Sequence, residues 1–206
     1  MHAFVYNFVA LLVIVDPVGT AVMFVGLAAH VAPAHRRSTA WRGAGIAAAL
    51  LLVFAFAGRA LLDLLGISLA AFQIAGGLLL FLVATDMVLA LRSGIRGTTG
   101  PEQDEAAHSH NIAVFPLAIP LIAGPGALTS ITLLMRNAQG VASQAWVLAA
   151  LAATMALTLV ALLAAAIVAR FLGVTGANVV TRVLGIVLAA LAAQYVIDGV
   201  RASLAG

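Results

Sequence analysis

Asp16-Pro17-Val18-Gly19 and Ala123-Gly124-Pro125-Gly126 break two long apolar runs of this chain, the first inside residues 3–29 and the second inside residues 112–135. The two prolines stand 108 positions apart (125 minus 17), close to half of the 206 residues. Proline removes a backbone donor and clashes with the turn before it, so an apolar helix is expected to break at each site. At bilayer depth such a break is tolerated only where the freed backbone faces protein or a water-filled cavity. A matched pair in the two halves of a chain points to the substrate site of a transporter.

Around these breaks the composition sets the class. Hydrophobic residues make up 64% of the chain and charged residues 8%, with a mean hydropathy of +1.17. No ordinary water-facing surface can be assembled from that stock, and the apolar runs exceed the roughly 18 residues that mark a membrane-spanning helix. The predicted fold is an all-α membrane protein with six transmembrane helices, at about residues 3–29, 43–63, 67–91, 112–135, 145–169 and 179–201. The fifth run holds no charge, proline or glycine. The second carries Arg59 near its end, where the long side chain has to reach back to the headgroups.

There is no cysteine, which excludes disulfides, thiolate metal sites and cysteine nucleophiles. All ten basic residues are arginine, scattered over short loops, so the formal charge of +3 does not describe a nucleic-acid surface. The first residues lack the basic region and cleavage site of a signal peptide, and read as a first span. Arg36, Arg37, Arg42, Arg92, Arg96 and Arg170 follow the odd-numbered spans, against Arg59, Arg136 and Arg201 on the other side. Positive charge is retained inside, which places both termini on the outer, periplasmic face.

One polar segment, from Arg92 to Asn111, separates the halves. Its glycines, Pro101 and the acids Glu102, Asp104 and Glu105 read as a connector between residues 1–91 and residues 112–206, each a three-helix unit. His108 and His110 beside those acids lack the spacing of a structural metal site, and a solvated loop explains them. The two units resemble each other weakly. An offset of 109 pairs Gly76 with Gly185, Gln73 with Arg182 and Arg92 with Arg201, and an offset of 108 pairs Pro17 with Pro125. A unit with an odd number of spans, repeated in tandem, must insert its second copy upside down. The expected architecture is therefore two inverted three-helix repeats, with helices 1 and 4 broken.

Each break has a reading in terms of ligand and one in terms of structure. Asp16-Pro17 is a good N-cap followed by proline at the first helical position, and Gly124-Pro125 places its proline in the same way. The half-helices starting there would present unpaired N–H groups and the positive ends of their dipoles, a ready site for a carboxylate. Structurally, both breaks serve equally well as kinks for close packing, with Thr20, Thr129 and Ser130 bonding back to freed carbonyls. Asp16 serves as a cap, as the seat of a proton or sodium ion, or as partner of a substrate amine. Asp86 and Asp198 lie nearer helix ends, where interfacial water solvates them. Gln73 and Gln194 suit bonds between helices, and Gly76-Gly77 a close helix approach.

At these residues the chain resembles the MarC family of membrane proteins, which includes small neutral amino-acid transporters of the SnatA type. The matching stretches are Asp16-Pro17-Val18-Gly19, AFQIAGGLLLFLVATDM from Ala71 to Met87, AVFPLAIPLIAGPGALTS from Ala113 to Ser130, and TRVLGIVLAALAAQYVIDG from Thr181 to Gly199. The resemblance implies six spans, a bacterial inner-membrane location and, for some members, movement of glycine or alanine. This chain departs from it after the first break. Members commonly have Asn or Ala where Thr20 stands, and a proline soon after, where this chain reads Ala21-Val22-Met23.

The resulting expectation is a secondary transporter of small neutral amino acids that works by alternating access. Asp16, Pro17, Val18, Gly19 and Thr20 from the first break, with Gly124, Pro125, Gly126, Ala127, Thr129 and Ser130 from the second, form the expected substrate site. Asp16 is also the candidate for a coupling proton or sodium ion. No cofactor, metal or nucleic acid is expected; the partners are the substrate, the bilayer and, compatible with so apolar a surface, further copies of the chain. No GxxxxGK[ST] loop is present, which argues against ATP hydrolysis. An intramembrane enzyme built on Asp16, Asp86 and Ser130 is the reading from another class. Against it, His2, His30, His35, His108 and His110 all fall at ends or in loops. A channel or exporter for another small solute is the third reading.

Overall fold

The computed structural model describes residues 2–89 and 112–205, and the described chain is helical throughout. Helix α1 (His2–Val15) leads through Asp16 into α2 (Pro17–Leu27), and together they make one apolar span of 26 residues. A turn at Ala28–His30 precedes α3 (Pro33–Leu64) and α4 (Leu69–Leu89). In the second half, an irregular helical segment α5 (Ala113–Ile122) meets α6 (Pro125–Asn137) at a bend of 58°. Helices α7 (Gly140–Leu163) and α8 (Ala165–Ala205) complete the chain. Five helices are long and apolar enough to cross a bilayer, and six spans result when the bent pair is taken as one.

The boundaries differ from the predicted ones for local reasons. Pro33 sits at the start of α3, where its fixed φ favours a helix, so α3 begins ten residues early and runs for 32 residues. Arg36, Arg37 and Arg42 therefore stand on exposed turns of a helix, not in a loop. At about 1.5 Å per residue α3 is about 48 Å long, well beyond the roughly 30 Å of hydrocarbon, so its polar first turns extend into the headgroups. Arg59, near the other end, is exposed and pairs with Asp63 one turn on at 3.6 Å. The fifth span ends at Leu163, short of residue 169. The Ala165–Leu172 turns that follow are set off from the last span by Gly173, whose φ of 59° and ψ of −178° only glycine adopts readily. The connector with Arg92, Arg96, His108 and His110 lies outside the described residues.

Close approach of small residues holds the bundle, as expected where lipid removes the hydrophobic drive between helices. Helices α4 and α8 run antiparallel along most of their length. A Cβ on Gly77 would meet Val196 at 2.8 Å, one on Gly185 would meet Met87 at 2.8 Å, and one on Gly199 would meet Ile74 at 2.7 Å. The sequence expectation for Gly76-Gly77 holds, since Gly76 lies directly against Thr129 of α6 and Gly77 against α8.

The main contacts recur between the halves. Helices α1 and α2 pack on α7, as α5 and α6 pack on α3; α2 also meets α8, as α6 meets α4. Helix α1 touches α6 and α2 touches α5, so the two interrupted spans lie beside one another in opposite directions. Helix α1 also touches α8, a contact that α5 does not match with α4 to the same degree. Large apolar side chains such as Phe56, Phe171 and Ile186 face outward, as a lipid-facing surface requires.

Candidate substrate site at two helix breaks

The first break is a single residue wide. Asp16 takes a left-handed backbone conformation (φ 47°, ψ 72°), which Asp tolerates better than most side chains. Its carboxylate turns back and accepts a hydrogen bond from the Gly19 N–H at 3.0 Å. The other carboxylate oxygen occupies the space a Cβ at 19 would need, so Gly19 has to be glycine. The predicted cap with Pro17 at the first helical position is thus present, but it does not redirect the chain. Asp16 N–H still bonds to Leu12 O and Thr20 N–H to Asp16 O, each at 2.9 Å, so the helix continues through the defect. Thr20 donates to Val15 O at 3.0 Å. Asp16 and Thr20 are fully buried.

The second break is wide and bent, and most of its cause lies upstream of Gly124-Pro125. Pro116 and Pro120 force the residues before them out of helical geometry. Phe115 (φ −126°, ψ 128°) and Ile119 (φ −130°, ψ 125°) are accordingly extended. What remains of the helix is widened and underwound, with bonds that skip five residues: Leu117 N–H reaches Ile112 O at 3.3 Å, and Ala123 N–H reaches Ala118 O at 2.9 Å. Gly124 then caps α6 with no side-chain bond. A Cβ there would meet the Pro120 carbonyl at 2.6 Å, which explains why a residue without one stands at this position.

A narrow, largely apolar crevice opens on this second break. It is lined by Ile14 from α1, Leu80 and Val83 from α4, Pro120, Leu121 and Ile122, and then Gly124, Pro125, Gly126 and Ala127. Four expected site residues therefore border one crevice. Residues Asp16 to Thr20 do not line it, although Ile14, half a turn before Asp16, does. Thr129 faces Gly76 and donates to Pro125 O at 2.9 Å. Ser130, fully buried on the next position, has no hydrogen-bond partner. Beside it lies the Tyr195 hydroxyl of α8, within reach of Ser130 but without the distance and angles of a well-formed hydrogen bond. Among the described residues these two are the buried side-chain polar atoms left unpartnered.

Tyr195, Pro116 and Pro120 went unread in the sequence. The prolines were legible, since each X-Pro pair inside an apolar run predicts an extended residue. Tyr195 was not, because nothing in one helix says which residue of another it meets. Gln194, expected to bond between helices, instead donates to Asp198 on its own helix at 2.8 Å. Among the described residues no group of three His, Asp or Glu side chains is placed to hold a metal ion. The paired histidines of the connector fall outside those residues.

Comparison with known proteins covers nearly the whole chain. The family model described as MarC family integral membrane protein matches residues 1–204. A UPF0056 membrane protein of Methanocaldococcus jannaschii is 35% identical over 205 residues, 99% of this chain and 98% of its own. A second, from Archaeoglobus fulgidus, is 33% identical over 202 residues, covering 98% of this chain and 93% of its own. The UPF0056 inner membrane protein YhgN of Escherichia coli is 35% identical over 134 residues, 65% of this chain and 64% of its own. No solved structure matches the chain to a significant degree.

Proposed function

This chain belongs to the MarC family of integral membrane proteins, and from that premise we propose that it is a secondary transporter of small neutral amino acids, not an enzyme. The observation that carries the reading is the start of α6. A 13-residue helix begins inside the bundle without a side-chain cap, and its first turn borders a crevice. The N–H groups of that turn have no carbonyl one turn behind them, and they sit at the positive end of the helix dipole. Such an end binds a carboxylate without a basic side chain. The adjoining span carries a fully buried carboxylate, Asp16, suited to balance an ammonium group or a coupling proton or sodium ion. The crevice is lined by Gly124, Gly126 and Ala127 beside Ile14, Leu80 and Val83, and so narrow a space favours glycine and alanine over larger side chains.

The exchange symmetry of the helix contacts supports a pair of inverted repeats, with the two broken spans rocking against each other around the crevice. The arginine distribution and the name of the Escherichia coli relative support a bacterial inner-membrane location, with both termini outside. The deciding experiment is counterflow of labelled alanine into proteoliposomes preloaded with unlabelled alanine. Saturable accumulation is expected, with loss in Asp16→Asn. A folded wild-type protein that accumulates no alanine overturns the reading, and a linear, non-saturating flux identifies a channel.

A further inference from the structure

The five buried threonines among the described residues, Thr20, Thr129, Thr132, Thr154 and Thr158, turn their hydroxyls onto carbonyls one turn back in their own spans. Ser130 has the same option and does not take it. Leaving a buried hydroxyl unpaired is costly, and here two are unpaired side by side on different helices. Their position matters. Ser130 follows Gly126 by four residues and so lies on the same face of α6. A helical side chain leans toward the N-terminus of its helix, which carries the Ser130 oxygen back toward the turn of Gly126 and Ala127. Those two residues line the crevice, as the buried Ser130 and Tyr195 do not, and they hold the N–H groups for which α6 has no carbonyl.

We propose that Ser130 and Tyr195 are the side-chain half of a carboxylate site, completing the backbone half at Gly126 and Ala127. This rests on the transport reading above and assigns the part of the substrate these atoms hold. Two N–H and two O–H donors match the roughly four lone-pair directions of a carboxylate. Helix α6 brings no cation to this end, since its basic residue, Arg136, stands in its last turn. The ligand class is a small zwitterion whose carboxylate is bound by neutral donors at α6. Tyr195, absent from any motif reading, is then a substrate-contacting residue.

Tyr195→Phe tests this, because it keeps the ring and removes only the hydroxyl. The KM for alanine in counterflow should rise about tenfold or more, the effect of losing one hydrogen bond to a charged group, with the maximal rate little changed. Ser130→Ala should shift KM in the same direction, and alaninamide, which lacks the carboxylate, should not compete in the wild type. In detergent without alanine the melting temperature of Tyr195→Phe should be unchanged or higher, since the hydroxyl has no bond to lose. An unchanged KM in both variants overturns the proposal and leaves the hydroxyls to a structural water. Competition by alaninamide equal to that of alanine overturns it as well, as does a lowered melting temperature of ligand-free Tyr195→Phe. A wild type that accumulates no alanine is a different result, which removes the transport reading and this inference together.

Discussion

The two breaks share a proline in the same register and differ in nearly everything that register was expected to bring. At Asp16-Pro17 the helix start is occupied by the chain's own carboxylate, which takes the Gly19 N–H, and the span continues. At Gly124-Pro125 the helix start has no side-chain cap, the span bends by 58°, and a crevice opens on its first turn. One break is therefore closed by its own anion, and the other is open to one from outside. Under the transport reading proposed above, the two breaks would divide the work of binding a zwitterion: the first holds a buried carboxylate and the second holds donors.

The most severe test of that division is to replace the proline at each break in turn. Pro125→Leu leaves the irregular α5 that Pro116 and Pro120 impose, but it removes the fixed φ that starts α6 and puts a bulkier side chain on the crevice. Counterflow should fall by about a hundredfold or more, in keeping with the cost of misplacing binding groups, while the protein still expresses. Pro17→Leu mends a span that already runs on, so its counterflow should stay within a few-fold of wild type. Equal losses in the two variants would show that both breaks are open starts, and that the contrast in geometry has no functional counterpart.

Next in size is the contact that seats the open break. Gly76 of α4 lies so close to Thr129 that an added methyl has to displace it, and Thr129 is held by its bond to Pro125 O. Gly76→Ala should therefore destabilise by about 1–3 kcal/mol, the usual cost of overpacking, or about 2–4 °C in melting temperature per kcal/mol for a chain of this size. An unchanged melting temperature would mean that α4 and α6 are free to separate at this point.

At the closed break, Asp16→Ala removes the cap and should cost about 0.5–2 kcal/mol, whereas Asp16→Asn keeps an acceptor for Gly19 N–H and should cost less. The pair separates structure from function. If Asp16→Asn keeps its melting temperature but loses counterflow, the charge itself is required. If it keeps both, Asp16 is a cap and no more.

These differences also mark how far the sequence could be read. Apolar runs and glycine-proline punctuation gave the six spans, the two breaks and the cap at Asp16, because each is a local property of a few neighbouring residues. The unequal bending was only partly local. Pro116 and Pro120 announce an irregular α5, but the first span keeps its helical hydrogen bonds through Asp16 in a left-handed conformation that no pattern requires. The early start of α3 was legible at Pro33, and was missed because apolarity, not helix geometry, set the predicted edge. Tyr195 beside Ser130 is a contact between α8 and α6, and a single sequence holds no record of such a pairing.

The smallest expected effect concerns the outer face of α2, one helix after the closed break. Gly26 is exposed, and a Cβ added to it meets nothing within 4 Å. Its backbone is helical, so Gly26→Ala should stabilise the protein by about 0.5–1 kcal/mol through helix propensity alone. That gain, read as a melting shift of the protein in detergent, would show that α2 faces lipid at this position. A loss instead would mean that the methyl meets something the single chain does not contain. Because α2 starts at Pro17, directly after Asp16, a second copy packed there would couple the closed break directly to a neighbouring protomer.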